Sequence, residues 1–286
     1  MQKGDRLMTE VTESDTGNEI EIVTSPDGTE IAYKRTGSGP PLVLVHGADV
    51  DHRFWDISGV RQSLAEHHTV YAMDRRGHGE SKYPGEFELE REFEDIVAVV
   101  DSIDEPVHLV GESGGAFAAL EAVLRTDNVR TLILHEPPVP GFEDERAREG
   151  FETMVGMLDE GDRDRALATF LEGPAGATPE EVEQLRNHPI WPEYVEAFIE
   201  TVVPKMEAEA QADYQFDPDR FAQLTVPTLL LAASESAEWL LDATDAVADA
   251  LPNARVVSID GYGHGAVASA PDWFTSEVLA FVRESS

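Results

Sequence analysis

The stretch from Val107 to Leu124 constrains the fold of this chain more than any other. The apolar run Val107-His108-Leu109-Val110 leads directly into Gly111-Glu112-Ser113-Gly114-Gly115, and a helical pattern, Ala116-Phe117-Ala118-Ala119-Leu120-Glu121-Ala122-Val123-Leu124, begins at once. A chain that passes from a buried strand to a helix in so few residues must turn sharply. The central serine is then forced into a strained backbone conformation, and its neighbours must be small. The turn projects the Ser113 oxygen out of the sheet. The helix N-terminus beside it supplies free N–H groups and partial positive charge where an anion can develop. The flanking strand and helix separate this pattern from an ordinary glycine-rich turn. Ser113 is the candidate nucleophile, and the Gly114 amide is a candidate oxyanion donor.

The remaining chain repeats the strand-then-helix theme. Glu19 to Val23 alternates like a half-exposed strand, Pro26-Asp27-Gly28 signals a turn, and Thr29 to Lys34 pairs back as a hairpin. Pro41-Leu42-Val43-Leu44-Val45 then begins a series of continuous apolar runs, as expected of strands buried on both faces. Its successors are Thr69 to Met73, Pro106 to Val110, Thr131 to Leu134, Pro227 to Leu231 and Arg255 to Ile259. Helical segments such as Phe93 to Ile103 and Thr244 to Leu251 lie between them. The expected fold is α/β: a mostly parallel, eight-stranded sheet with helices on both faces. From Pro137 to Phe221 the rhythm breaks. This stretch reads as helices over Asp144 to Glu160, Asp162 to Glu172, Pro179 to Asn187 and Pro192 to Ala212, interrupted at Gly161, Gly173-Pro174, Gly176 and His188-Pro189. The expected division is a loose tail at 1–18, a core formed by 19–140 and 215–286, and a helical cap at 141–214, inserted after the sixth strand and roofing Ser113.

Charge and composition narrow the classes of function. The 286 residues hold 57 Asp plus Glu against 21 Lys plus Arg, a formal net charge of −36, and only four lysines: Lys3, Lys34, Lys82 and Lys205. The acids are spread along the chain, which predicts a uniformly acidic surface rather than a charged tail. Such a surface repels itself at low salt and is screened at high salt, so a salt-rich cytoplasm, as in halophilic microbes, is the expected setting, with an ordinary acidic bacterial protein as the alternative. No basic patch points to nucleic acid or an anionic membrane. No apolar stretch reaches the length of a membrane span, and Met1 to Asn18 carries no secretory h-region. Cysteine is absent, which excludes disulfides, thiolate metal sites and thiol catalysis.

A serine nucleophile needs a base, a group to orient the base, and donors for the oxyanion. His264, in Gly261-Tyr262-Gly263-His264-Gly265 just past the last strand, is the candidate base, since the glycines let its loop cross the strand ends toward Ser113. The second oxyanion donor is expected from the loop after Pro41–Val45, at the Ala48 amide, with His46 bracing that loop.

These motifs, together with Asp74-Arg75-Arg76-Gly77-His78-Gly79-Glu80-Ser81, resemble those of α/β-hydrolase-fold serine hydrolases over roughly residues 20–140 and 215–286. The resemblance implies that Asp74 and His78 are loop braces. It also implies a triad acid after Leu229–Leu231, about 28 residues before the histidine, but that position is Ser236. Some members of the fold place the acid at the end of the preceding strand, here Glu136 in Leu134-His135-Glu136-Pro137-Pro138; Glu235 and Glu238 are rivals. The implied activity is cofactor-free and metal-free hydrolysis of a small ester or lactone through an acyl-enzyme. C–C bond hydrolysis, perhydrolysis, or ligand binding with little turnover are the alternatives. A serine at the elbow disfavours epoxide opening and halide displacement, which use an aspartate there. The cap aromatics Phe142, Phe151, Phe170, Trp191, Tyr194 and Phe198 are candidates for a pocket wall or for plain core.

Overall fold

The computed structural model describes residues 20–285 except 84, 174–176, 188, 190 and 213. The expected tail at 1–18 and the breaks at Pro174, Gly176 and His188 lie outside the described residues. The strands are β1 (Ile20–Thr24), β2 (Glu30–Gly37), β3 (Pro41–Val45), β4 (Thr69–Met73), β5 (Val107–Glu112), β6 (Val129–His135), β7 (Thr228–Ala233) and β8 (Ala254–Ile259). The helices of the first half are α1 (Arg53–Ile57), α2 (Val60–Ala65), α3 (Leu89–Asp101) and α4 (Gly114–Ala122). Between β6 and β7 come α5 (Glu145–Asp159), α6 (Arg163–Glu172), α7 (Pro179–Arg186), α8 (Trp191–Ala197) and α9 (Val203–Gln211). The last helices are α10 (Glu238–Ala250), α11 (Ala266–Ser269) and α12 (Pro271–Glu284).

The eight strands form one sheet in the order β1-β2-β4-β3-β5-β6-β7-β8. β1, β2 and β4 pair antiparallel, and every pair from β4 through β3 to β8 is parallel. The first hairpin closes where Gly28 takes φ 92° and the Thr29 N–H donates to Asp27 Oδ1 at 2.9 Å. Successive side chains of a strand face opposite sides, so each continuous apolar run serves two cores at once. Val43, Val45, Leu109, Leu132 and Leu134 pack with α3, α4 and α10 on one face. Leu42, Leu44, Val110, Ile133, Leu229 and Leu231 pack with α1, α2 and α12 on the other. β8 differs from expectation. Among the described residues it pairs only with β7, at the sheet's edge, and Val256 is 40% exposed there.

The helices between β6 and β7 have a core of their own, built on Met154, Leu167, Phe170, Leu171, Trp191 and Phe198. Asp144 and Asp162 cap α5 and α6 by accepting from the N–H groups of Ala147 and Arg165. The single helix expected over Pro192 to Ala212 is interrupted by a π-helical turn at Phe198–Val202. Pro204, two residues past the turn, has no N–H to donate to the carbonyl one α-turn back, so the ladder widens there. This insertion is tied to the sheet side where Thr201 Oγ1 donates to the Gly77 carbonyl at 2.9 Å.

Candidate active site

β5 lies in the middle of the sheet and ends at Glu112. Ser113 follows with φ 51° and ψ −124°, as the N-cap of α4. Among the described residues only Ser113 and Glu136 have positive φ without being glycine. Such a conformation costs about 1–3 kcal/mol and persists only where the surroundings impose it. At Ser113 the imposing contact is the packing of turn on helix. A Cβ at Gly111 would lie 2.6 Å from Ala116 Cα, and one at Gly115 would collide with the carbonyls of Val45 and His46. The glycines are therefore required by close backbone approach.

The strain brings three side chains into one chain of hydrogen bonds. Ser113 Oγ lies 2.9 Å from His264 Nε2, and His264 Nδ1 lies 2.5 Å from Glu136 Oε2. The arrangement reads as Oγ–H donating to Nε2 and Nδ1–H donating to the carboxylate. Glu136 is fully buried at the end of β6. Its other oxygen accepts the Ala233 N–H at 2.7 Å, and Ser236 Oγ donates to Oε2 at 2.9 Å. Ser236, at the position where the resemblance implied the acid, thus hydrogen-bonds the Glu136 carboxylate instead. Glu235 and Glu238 are both exposed, at the end of the Ser234–Glu235 turn and the start of α10.

Burial pushes the Glu136 carboxyl up, but the hydrogen bonds from His264 and Ser236 and the charge of His264 outweigh it and hold it down at about 2. Burial opposes a charged His264, yet the Glu136 hydrogen bond and charge, with Glu112 and Asp49 beyond, raise its pKa above the ordinary value. His135 stacks on His264 at 5.5 Å between ring centroids, and burial holds it neutral, near 4. The donor atoms of His135, Glu136 and His264 lie within 4.8 Å of one another, close enough to suggest a metal. The Glu136 oxygens and both His264 nitrogens are already engaged in the hydrogen bonds above.

The loop after β3 comes up beside Gly114. Ala48 N lies 3.7 Å from where a Gly114 Cβ would stand. His46 is fully buried, its Nδ1–H donating to the Gly47 carbonyl at 2.8 Å and its Nε2 accepting the Arg75 N–H at 3.0 Å. Burial lowers its pKa to about 4, as an imidazole that must accept requires. Asp74 accepts the N–H groups of His52 and Glu80, so it braces two loops.

Sequence reasoning missed the charged residues around the serine. Arg75 donates from Nη1 to the Gly47 carbonyl at 3.1 Å and from Nε to Glu92 Oε2 at 3.0 Å. Glu92 also pairs with Lys205 from the insertion. Glu112 is buried on the elbow itself, and burial raises its carboxyl to about 7. The placement of charged residues within apolar or acidic stretches gave no periodic signal. Two cavities meet at Ser113. The inner one, of about 120 Å³, is lined by Ala48, Gly114, Phe151, Phe170, Lys205 and His264 among others. The outer one, of about 490 Å³, is lined by Glu112, Phe54, Tyr194, His264 and Val267 among others. Of the cap aromatics, Phe151, Phe170 and Tyr194 therefore form pocket wall. Trp191 and Phe198 are buried in the cap core, and Phe142 packs on the main core.

A family model described as the alpha/beta hydrolase family matches residues 42–277. The fold superposes with TM-score 0.75 on the crystal structure of an alpha/beta hydrolase from Sphaerobacter thermophilus, at 32% identity, covering 92% of this chain and all of that one. It superposes with TM-score 0.72 on a thermophilic esterase from Thermogutta terrifontis at 24% identity, covering 93% and 99% of the two chains, a likeness that speaks for the fold alone. A sequence relative, the non-heme chloroperoxidase CPO-A1 of Kitasatospora aureofaciens, is 27% identical over 281 residues, or 92% of this chain and 99% of that one. Among the described residues no helix is long and apolar enough to cross a membrane.

Proposed function

The chain belongs to the alpha/beta hydrolase family, and from that premise we propose that it is a serine hydrolase cleaving a small ester or lactone through an acyl-enzyme at Ser113. The observation that carries this reading is the continuous hydrogen-bonded path from Ser113 Oγ through His264 to Glu136, with the serine held at φ 51° on a helix N-terminus. His264 Nε2 takes the hydroxyl proton as Oγ attacks the carbonyl carbon. The amides of Gly114 and Ala48 hold the oxyanion. The buried Glu136 carboxylate fixes the Nδ1–H tautomer and stabilises the imidazolium without taking its proton. The imidazolium then protonates the leaving alcohol. Water attacks the acyl-enzyme, His264 accepts its proton, and the serine is regenerated as the acid leaves. Every group this sequence uses is a side chain or amide of the chain. The acidic composition supports a salt-rich cytoplasm as the setting.

The likeness to a protein named as a non-heme chloroperoxidase favours one second reading on the same groups. Hydrogen peroxide in place of water would resolve the acyl-enzyme to a peracid and free serine. One experiment addresses both: a panel of acyl esters and lactones followed by pH-stat, with and without peroxide, on the wild type and Ser113→Ala. Loss of the nucleophile in such triads costs on the order of 10⁶ in turnover, so ester cleavage should vanish in the variant. Undiminished cleavage by Ser113→Ala would overturn the mechanism. Peracid formation dependent on Ser113 would favour the second reading.

A further inference from the structure

The inner cavity carries a charge pattern that ester hydrolysis as such does not call for. Only four of the 286 residues are lysines, yet Lys205 is buried, 5% exposed, on this cavity's wall. Its ammonium forms an ion pair with Glu92 and lies 5.4 Å from the centroid of the Phe87 ring. Arg75, also 5% exposed, shares the same Glu92 carboxylate. Its Nη1 stands 3.0 Å from where a Gly114 Cβ would be, so the guanidinium reaches the edge of the expected oxyanion hole. Two cations share the one carboxylate that both touch, Glu92, while Glu143 and Glu209 also line the cavity.

We propose that this cavity is a subsite for a carboxylate carried on the acyl chain of the substrate, bound by Lys205 and Arg75. The inference rests on the serine-hydrolase reading and names its substrate class: short half-esters of dicarboxylic acids. The geometry divides the two cavities. The leaving alcohol must receive its proton from His264, and the outer cavity runs along the loop and helix that follow His264, Gly265 to Ser269. The inner cavity opens on the Gly114 and Phe117 side and takes the acyl chain. At about 120 Å³ it admits a chain of only a few carbons. Glu143 and Glu209 also face it. Burial, with Glu92 and Glu143 adding to it against Arg75 and Lys205, raises the Glu209 carboxyl to about 7, so below neutrality it can donate to the bound carboxylate. Burial lowers Lys205 to about 8, so the cationic site weakens as pH rises past that value.

The test compares monomethyl succinate with methyl 4-methylpentanoate, in which an isopropyl group replaces the carboxylate. The wild type should favour the half-ester in kcat/KM by tenfold or more at pH 6.5, and Lys205→Met should erase most of that ratio through KM while Lys205→Arg retains it. Free succinate should bind the Ser113→Ala protein by calorimetry, a measurement that needs no change at Lys205. A wild type that prefers the neutral ester, or a ratio unmoved by Lys205→Met, overturns the subsite. If succinate binds Ser113→Ala but neither ester is cleaved and no fluorophosphonate labels Ser113, the subsite stands and the hydrolase reading fails. If the neutral ester is cleaved and Ser113 is labelled but succinate does not bind, the reverse holds.

Discussion

Glu136 is the residue on which the proposed chemistry turns. Its φ of 42° lifts the carboxylate off the end of β6, and three donors fix it there: the Ala233 amide, Ser236 and His264. Glu136→Gln keeps size and loses charge, so turnover should fall by roughly 10²–10⁴ with the fold retained. The pH profile should move as well. The base works when neutral, so kcat/KM for a neutral ester rises with pH through the pKa of His264, which the Glu136 carboxylate and the more distant Glu112 and Asp49 hold above the ordinary 6.5. Removing the carboxylate leaves burial, which lowers that pKa, so the acidic limb of Glu136→Gln should shift to lower pH. A limb that stays in place would show that Glu136 does not orient or charge-stabilise His264.

At the scale of elements, the elbow is held by backbone contacts rather than by side chains. A methyl at Gly111 would meet Ala116 Cα and the Gly115 carbonyl at 2.6 and 2.7 Å, and neither can move without shifting α4 off β5. Gly111→Ala should therefore cost about 1–3 kcal/mol, the range of an overpacked core, read as a lower denaturant midpoint with an unchanged slope. A variant as stable as the wild type would mean that the turn relaxes freely. Much of this architecture was legible in the residues. Continuous apolar runs gave the central strands because both faces are buried; the glycines around Ser113 marked a turn that must pass close to other backbone, and Gly261, at φ 78°, belongs to the loop that carries His264. Glu136 was reachable because Ser236 cannot carry charge. What stayed hidden depended on contacts between distant elements. The π-turn at Phe198–Val202 arises from Pro204 within an otherwise helical pattern, and the Arg75–Glu92–Lys205 group joins the loop after β4, α3 and α9 with no local signature. The place of β8 at the sheet edge is one that its own composition does not encode.

For the whole molecule, the net charge of −36 sets the response to salt. Several cations are consumed in buried pairs, such as Arg76 with Asp95 and Arg75 with Glu92, so the surface is more one-sided than the totals suggest. Screening shortens to about 3 Å at 1 M salt and removes most of the repulsion between exposed carboxylates. The melting temperature should therefore climb from low salt toward molar KCl, and a flat or falling curve would remove the argument for a salt-rich setting. The mass of the intact protein tests the central claim most directly, that Ser113 is a nucleophile activated by His264. Treated with a fluorophosphonate, the wild type should gain the mass of one adduct, the adduct should map to Ser113, and Ser113→Ala should gain none. An adduct on another residue, or an unlabelled wild type in its folded state, would contradict the account.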